Sequence, residues 1–165
     1  MQVYVDCEFT DFINCELISI ALIAEDGREL YAEIRDFDKS ACSEFVRHAV
    51  LPQLGQFPEK VHAEVQLREL VMLWLADVCG ESECLICVDN VIDWDLLIEL
   101  LGEVPSNCRG AVIASLIDQG VRESYFQRHG GRHHALHDAR AMRAATAGDL
   151  STAFPVAKIK PTRYF

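Results

Sequence analysis

The chain lacks any apolar run near the roughly 20 residues that span a bilayer. Its N-terminus enters a strand-like pattern without the charged and apolar regions of a secretory leader. A soluble, cytoplasmic protein is expected. Positive charge is scarce as well: 15 Lys and Arg stand against 26 Asp and Glu, for a net charge of −11. That balance excludes a protein that coats long nucleic acid through a broad basic surface, a mode that depends on neutralising many phosphates. It does not exclude an enzyme that grips a few nucleotides at a metal site. Repeats, low-complexity tracts and linker-like composition shifts are missing, so residues 1–165 read as a single domain. A second cysteine pair is missing too: Cys84 and Cys87, with Cys79 just upstream, have strand-forming residues between them and no matching pair to complete a zinc site. The seven cysteines, Cys7, Cys15, Cys42, Cys79, Cys84, Cys87 and Cys108, are odd in number and scattered through apolar segments, which suits buried thiols in a reducing compartment.

What is present is a core, with 50% of the residues hydrophobic. Val3-Tyr4-Val5-Asp6-Cys7-Glu8-Phe9 alternates with the period of a strand, so Asp6 and Glu8 point to one face. Two carboxylates about 4 Å apart repel by roughly 4 kcal/mol at an effective dielectric near 20. An interior strand bearing both therefore needs a cation between them, most simply a divalent metal. An edge strand with both acids in water is the alternative left open.

Residues 16–24 are nearly all apolar and predict a strand covered on both faces. Glu25-Asp26-Gly27-Arg28 supplies a tight hairpin, and residues 29–34 return antiparallel. Ser40 or Asp38 caps a helix in which Phe45, Val46, Ala49 and Val50 share a face and which Pro52 ends or kinks. Over residues 63–79, Leu67, Leu70, Val71, Trp74, Leu75 and Val78 fall at helical spacing. Residues 84–88 predict a short buried strand, followed by a helix through Leu96, Leu97, Leu100 and Leu101 that stops at Gly102. Residues 111–117 read as a strand, 119–128 as a short helix, 129–132 as a hinge, and 134–148 as a helix with Gly148 as its C-cap. A tail, residues 151–165, carries Lys158, Lys160 and Arg163. Strands first, then alternating helices and strands, predict an α/β fold with a mixed sheet, three antiparallel N-terminal strands and flanking helices.

Acids recur at the ends of buried elements: Asp6 and Glu8, Asp93 at a strand-to-helix junction, and Asp138 in the last helix. Converging, four carboxylates can hold two magnesium ions about 3.5 to 4 Å apart, the clamp used for phosphodiester hydrolysis. His133 follows the Gly130-Gly131 hinge and stands five residues before Asp138, where a neutral imidazole can accept a proton from water; His134 and His137 are its rivals. Arg122, Arg128, Arg132, Arg140 and Arg143 outnumber Glu123 and Asp138 in this segment, concentrating positive charge where a phosphate backbone needs it.

Asp6-Cys7-Glu8-Phe9, then Asp93 with Leu96 and Leu97, then His133-His134-Ala135-Leu136-His137-Asp138-Ala139 resemble, in order and spacing, the three motifs of the DEDDh exonucleases of the ribonuclease H-like superfamily. Through Leu30 and Tyr31, the N-terminal third resembles the short mycobacterial-type 3′-to-5′ exoribonucleases. The resemblance implies a ribonuclease H-like fold and a 3′-to-5′ exoribonuclease. Such an enzyme uses two Mg2+ ions, with Mn2+ able to substitute, to release nucleoside 5′-monophosphates from an RNA 3′ end or single-stranded overhang. It assigns Asp6 to both ions, Glu8 and Asp138 to the nucleophile-side ion, Asp93 to the other, His133 as general base, and Phe9 and Leu17 as contacts to the terminal nucleotide. The middle motif departs from the usual pattern: Ile92 precedes the acid, Asp89-Asn90 stands upstream, and Asp95 competes with Asp93. A DNA 3′-to-5′ exonuclease, a small-phosphoester hydrolase and a non-catalytic nucleic-acid-binding module are the alternatives. A homodimer, through the tail or the helix bearing Trp74, is left open.

Overall fold

The computed structural model describes residues 1–148 and 150. Six strands, β1 (Gln2–Phe9), β2 (Leu17–Ala24), β3 (Glu29–Ile34), β4 (Val61–His62), β5 (Cys84–Val88) and β6 (Cys108–Val112), form one mixed sheet in the order β4-β3-β2-β1-β5-β6. The first three are antiparallel neighbours, and β4, β5 and β6 add in parallel. The helices are α1 (Glu44–Ala49), α2 (Glu64–Cys79), α3 (Val91–Leu101), α4 (Gln119–His129) and α5 (Ala135–Ala145). α2 packs on β3 and α3 on β1 and β5, while α5 covers β1 and β2 with α4 alongside it. The mixed α/β architecture predicted from the alternation of elements is the one observed.

β1 lies between β2 and β5, so it is an interior strand and the edge-strand alternative for its acids is removed. Successive side chains on a strand point to opposite faces. Val3, Val5 and Cys7 join the core beneath α2 and α3, and Tyr4 joins the core beneath α5. Asp6 and Glu8 share the parity of Tyr4 and therefore face α5. β2 is buried at every position, as a strand covered on both sides must be.

β6 and α3 meet at Gly110, where an added Cβ would lie 2.6 Å from the Trp94 ring. Trp94 directly follows Asp93 on α3. Gly110→Ala is expected to cost about 1–3 kcal/mol by overpacking and to displace the first turn of α3; thermal melting of the variant checks it, and an unchanged midpoint would show that Trp94 swings aside freely.

Several boundaries differ from the sequence reading. Ser43, not Ser40 or Asp38, caps α1 by accepting from the Val46 N–H, while Asp38 caps a separate turn over Lys39–Ala41. Phe45 consequently lies 57% exposed rather than sharing a buried face with Val46. The strand expected over residues 111–117 is instead Cys108–Val112, because β6 takes its position from β5, residue for residue from Cys84↔Cys108 to Val88↔Val112. β4 is too short to show a period. α5 ends at Ala145, not at Gly148, because Thr146 bridges to Ile117. The expectation of free buried thiols fails for Cys79 and Cys84, which form a disulfide. Cys84 and Cys87 project to opposite faces of β5, which removes Cys87 from the zinc half-site and leaves Cys79 and Cys84 grouped with Cys108 instead. The basic tail, residues 151–165, lies outside the described residues.

Candidate active site

Parallel pairing sets Tyr4 opposite Cys87, which brings Asp6 level with Asp89 just past the end of β5. Asp93 joins them from the first turn of α3 and Asp138 from the first turn of α5, beside Glu8 on β1. The result is two triads that share Asp6. Asp6, Asp89 and Asp93 form one, and Asp6, Glu8 and Asp138 the other; in each, one carboxylate oxygen per residue lies within 4.8 Å of the others.

Local structure aims each acid. Asn90 caps α3 by accepting from the Ile92 N–H, which turns Asp93 inward so that its Oδ1 accepts from the Cys7 backbone N–H at 3.1 Å. Asp138 Oδ2 accepts from the His134 N–H at 3.0 Å, closing the first turn of α5. Both carboxylates sit at helix N-termini, where the backbone favours negative charge. Asp95 is exposed on α3, away from the cluster, whereas Asp93 is 3% exposed within it.

Electrostatically the cluster is short of cations. Burial, followed by the charges of Asp93, Asp138, Glu8 and Asp89, pushes the Asp6 carboxyl well above the usual range. Burial and then Asp138 push Glu8 up to about 8, and burial with Asp89 does the same for Asp93. Asp138 is raised by burial, against the opposing pull of the His134 N–H, Arg122 and His133. Arg122, from α4, reaches in: its Nη1 lies 2.8 Å from Asp89 Oδ2 and its Nη2 3.7 Å from Asp138 Oδ1. Five carboxylates with one guanidinium leave a charge that two divalent cations would cancel. Carboxylate-only donors suit hard cations such as Mg2+ or Mn2+, so the residues present fit them.

The three histidines separate by environment. His134 is buried and stacked on Tyr31 at 4.7 Å between ring centroids, and burial followed by His137 pushes it down to about 4. His137 is engaged by the Tyr125 hydroxyl at 3.3 Å. His133 is half-buried with its ring edge-on to Phe45 at 4.8 Å, and it holds a positive φ of 62°. Gln53 Nε2 donates to the carbonyls of Arg132 and His133, each at 2.9 Å, and so pins the hinge in that conformation.

The remaining sequence candidates divide. Leu17 is buried and lines a cavity of about 200 Å³ with Cys15, Ile34 and Leu96. Phe9, its pairing partner, is half-buried and makes an edge contact with exposed Phe12. Of the five arginines singled out in the sequence, Arg122 is the one that pairs with the acid cluster. Arg132 pairs with Glu123, Arg140 with Glu29, and Arg128 and Arg143 donate to the carbonyls of Ser124 and Glu25. Asp89 and Arg122 are the residues whose place in the cluster sequence reasoning missed. Asp89's position directly after a buried strand was a usable signal, whereas nothing in the sequence distinguishes Arg122 from its neighbours.

No known protein-family model matches the chain. Over 55 residues the chain is 47% identical to 3′-5′ exoribonucleases from two strains of Mycobacterium tuberculosis, a match covering 33% of this chain and 33% of each relative. Among solved structures, S. pombe Pop2p in its Mg2+- and Mn2+-bound form aligns over 86% of this chain and 79% of its own, with a TM-score of 0.56 and 13% identity. A full-length 3′-exonuclease aligns over 86% of this chain and 77% of its own, with a TM-score of 0.50 and 12% identity. The fold is ribonuclease H-like, as the motifs led one to expect.

Proposed function

We propose that this chain is a metal-dependent 3′-to-5′ exoribonuclease that removes nucleoside 5′-monophosphates from RNA 3′ ends. The observation that carries the reading is the pair of carboxylate triads sharing Asp6. The M. tuberculosis relatives are named 3′-5′ exoribonucleases, and the Pop2p structure is described as bound to Mg2+ and Mn2+. Both favour the same chemistry.

Two divalent cations, Mg2+ or Mn2+, would supply Lewis-acid activation of water and neutralise charge developing on the phosphate. The rest falls to the side chains. Asp6 belongs to both half-sites and sets their separation; Glu8 and Asp138 hold the half beneath α5, and Asp93, joined by Asp89, the half beside α3. Arg122 cancels one of the five carboxylates and ties Asp89 to Asp138. His133, held at the rim by the Gln53 contacts and by Phe45, accepts the proton of the attacking water at a ring nitrogen. Phe9 and Leu17, one step beyond Glu8 along β1 and β2, contact the terminal nucleoside. The preference for RNA over DNA rests on the matched third of the chain. No helix among the described residues is long and apolar enough to cross a membrane. The outer face of α2, with exposed Leu73 beside Trp74, is the candidate homodimer contact among the described residues.

Incubating the protein with a 3′-overhang RNA and the matching DNA in Mg2+ tests the reading. Stepwise shortening from the 3′ end, faster on RNA, is expected, and His133→Ala is expected to lower kcat by about 10²–10⁴-fold with the metal-dependent gain in melting temperature intact. Absence of release with both Mg2+ and Mn2+ would leave a binding protein on this fold; equal rates for His133→Ala and wild type would remove His133 from the chemistry.

A further inference from the structure

Three sulfurs meet at the opposite end of β5 from the acids. Cys79 ends α2, Cys84 opens β5, and Cys108 opens β6 directly opposite Cys84 in the parallel ladder. Their Sγ atoms all lie within 4.8 Å of one another. Cys79 and Cys84 are joined as a disulfide, and Cys108 is a free thiol. Burial separates the three: Cys84 is wholly inaccessible and Cys79 nearly so, whereas Cys108 is half-buried. Asn107 Nδ2 donates to the carbonyls of Gly80 and Ser82, at 3.0 and 2.8 Å, and so holds the connecting turn in place beside Cys108.

The bridge spans a sequence separation of only 5. So short a loop constrains the unfolded chain little, which makes the bridge a weak staple. A free thiol within reach of a buried disulfide supplies the geometry of thiol–disulfide exchange, and burial, which pushes the Cys108 thiol up to about 11, keeps that exchange slow at neutral pH. We propose that Cys79, Cys84 and Cys108 form an exchange centre in which Cys108 is the port through which small thiols and disulfides of the glutathione class oxidise and reduce the buried Cys79–Cys84 pair.

Oxidation balances in three displacements. The Cys108 thiolate attacks a small disulfide RSSR, forming a mixed disulfide at Cys108 and expelling RS⁻. The Cys84 thiolate then attacks Cys108 Sγ, expelling the second RS⁻ and joining Cys84 to Cys108. Finally the Cys79 thiolate attacks Cys84 Sγ and returns Cys108 as a thiolate. In total, two protein thiols give up two electrons and two protons, and RSSR becomes two RSH. Reduction runs the same steps backwards. The oxidised centre ties the end of α2 to the start of the strand that leads to Asp89, independently of what the acid cluster does.

The test uses the full chain, reduced and then equilibrated with mixtures of reduced and oxidised glutathione, quenched by alkylation and weighed intact. Loss of two alkylatable thiols, with Cys79 joined to Cys84 in the peptide map and a glutathione adduct trapped at Cys108, is expected. Cys108→Ser is expected to keep the bridge but slow its reduction by glutathione at least tenfold, while Cys15→Ser, which removes the other half-buried thiol, leaves the rate unchanged. All seven thiols alkylating after oxidation, a wild-type reduction rate in Cys108→Ser, or one equivalent of zinc held by the three thiols would overturn the proposal. If Cys108→Ser does not fold, the site of the wild-type glutathione adduct decides: anywhere but Cys108 rejects it.

Discussion

Asp6→Asn is expected to lower nucleotide release by at least about 10³-fold and, in the same protein, to raise the melting temperature measured in EDTA. Asp6 is 8% exposed, belongs to both triads, and carries a charge that burial and four neighbouring acids all oppose. Asparagine keeps the shape and removes that charge, so the metal-free fold should gain about 1–3 kcal/mol, or roughly 2–10 °C for a chain of this size. Wild type, but not the variant, should gain stability when Mg2+ is added, because a cation that binds only the folded state stabilises it by mass action. Differential scanning fluorimetry with and without Mg2+, run beside the nuclease assay, reads both effects. A variant less stable than wild type in EDTA, with an unaltered Mg2+ response, would show that Asp6 is structural.

In EDTA the wild-type protein is expected to become less stable as pH rises from about 5 to about 9, the reverse of ordinary acid denaturation. Glu8 and Asp93 titrate near 8 in the folded chain, where burial and neighbouring acids hold them protonated, against roughly 4 when unfolded. Between those values the folded state binds protons that the unfolded state has released, so the slope of stability against pH is negative. The stability from this source is full below about pH 4 and is lost as pH climbs through 8. Each retained proton costs about 1.4 kcal/mol per pH unit, so the two together lose several kcal/mol of stability across the window. Saturating Mg2+ should abolish the decline, since the cation replaces the protons. Urea midpoints across the pH range, in EDTA and in Mg2+, check this; a flat or rising profile in EDTA would mean the acids already have counter-charge in the fold.

Most of what positions these acids was legible in the chain. The alternation of Val3 to Glu8 predicted both the strand and the shared face of Asp6 and Glu8, because a period of two leaves no other arrangement. Leu96 and Leu97 pointed to Asp93 over Asp95, and burial separates the two in that direction. What was not legible depended on partners distant in sequence. The limits of β6 follow from β5, the end of α5 from Ile117, and the place of Arg122 from two acids on other elements. The disulfide is the exception, since Cys79 and Cys84 are only 5 apart in sequence and the turn between α2 and β5 brings them together. Ser43 was missed for a different reason: Asp38 and Ser40 are equally good capping residues, and only the path of the loop decides among the three.

The placement of Asp138 and His133 near the end of the described chain bears on when the cluster can first exist. Asp6 lies on the first strand, yet the second triad needs Asp138 on α5, which packs on β1 and β2. Strands β1 to β6 without α5 therefore hold an incomplete set of acids. With Asp138 on the last helix of the described residues and His133 just ahead of it, the acid set is complete only once that helix has docked.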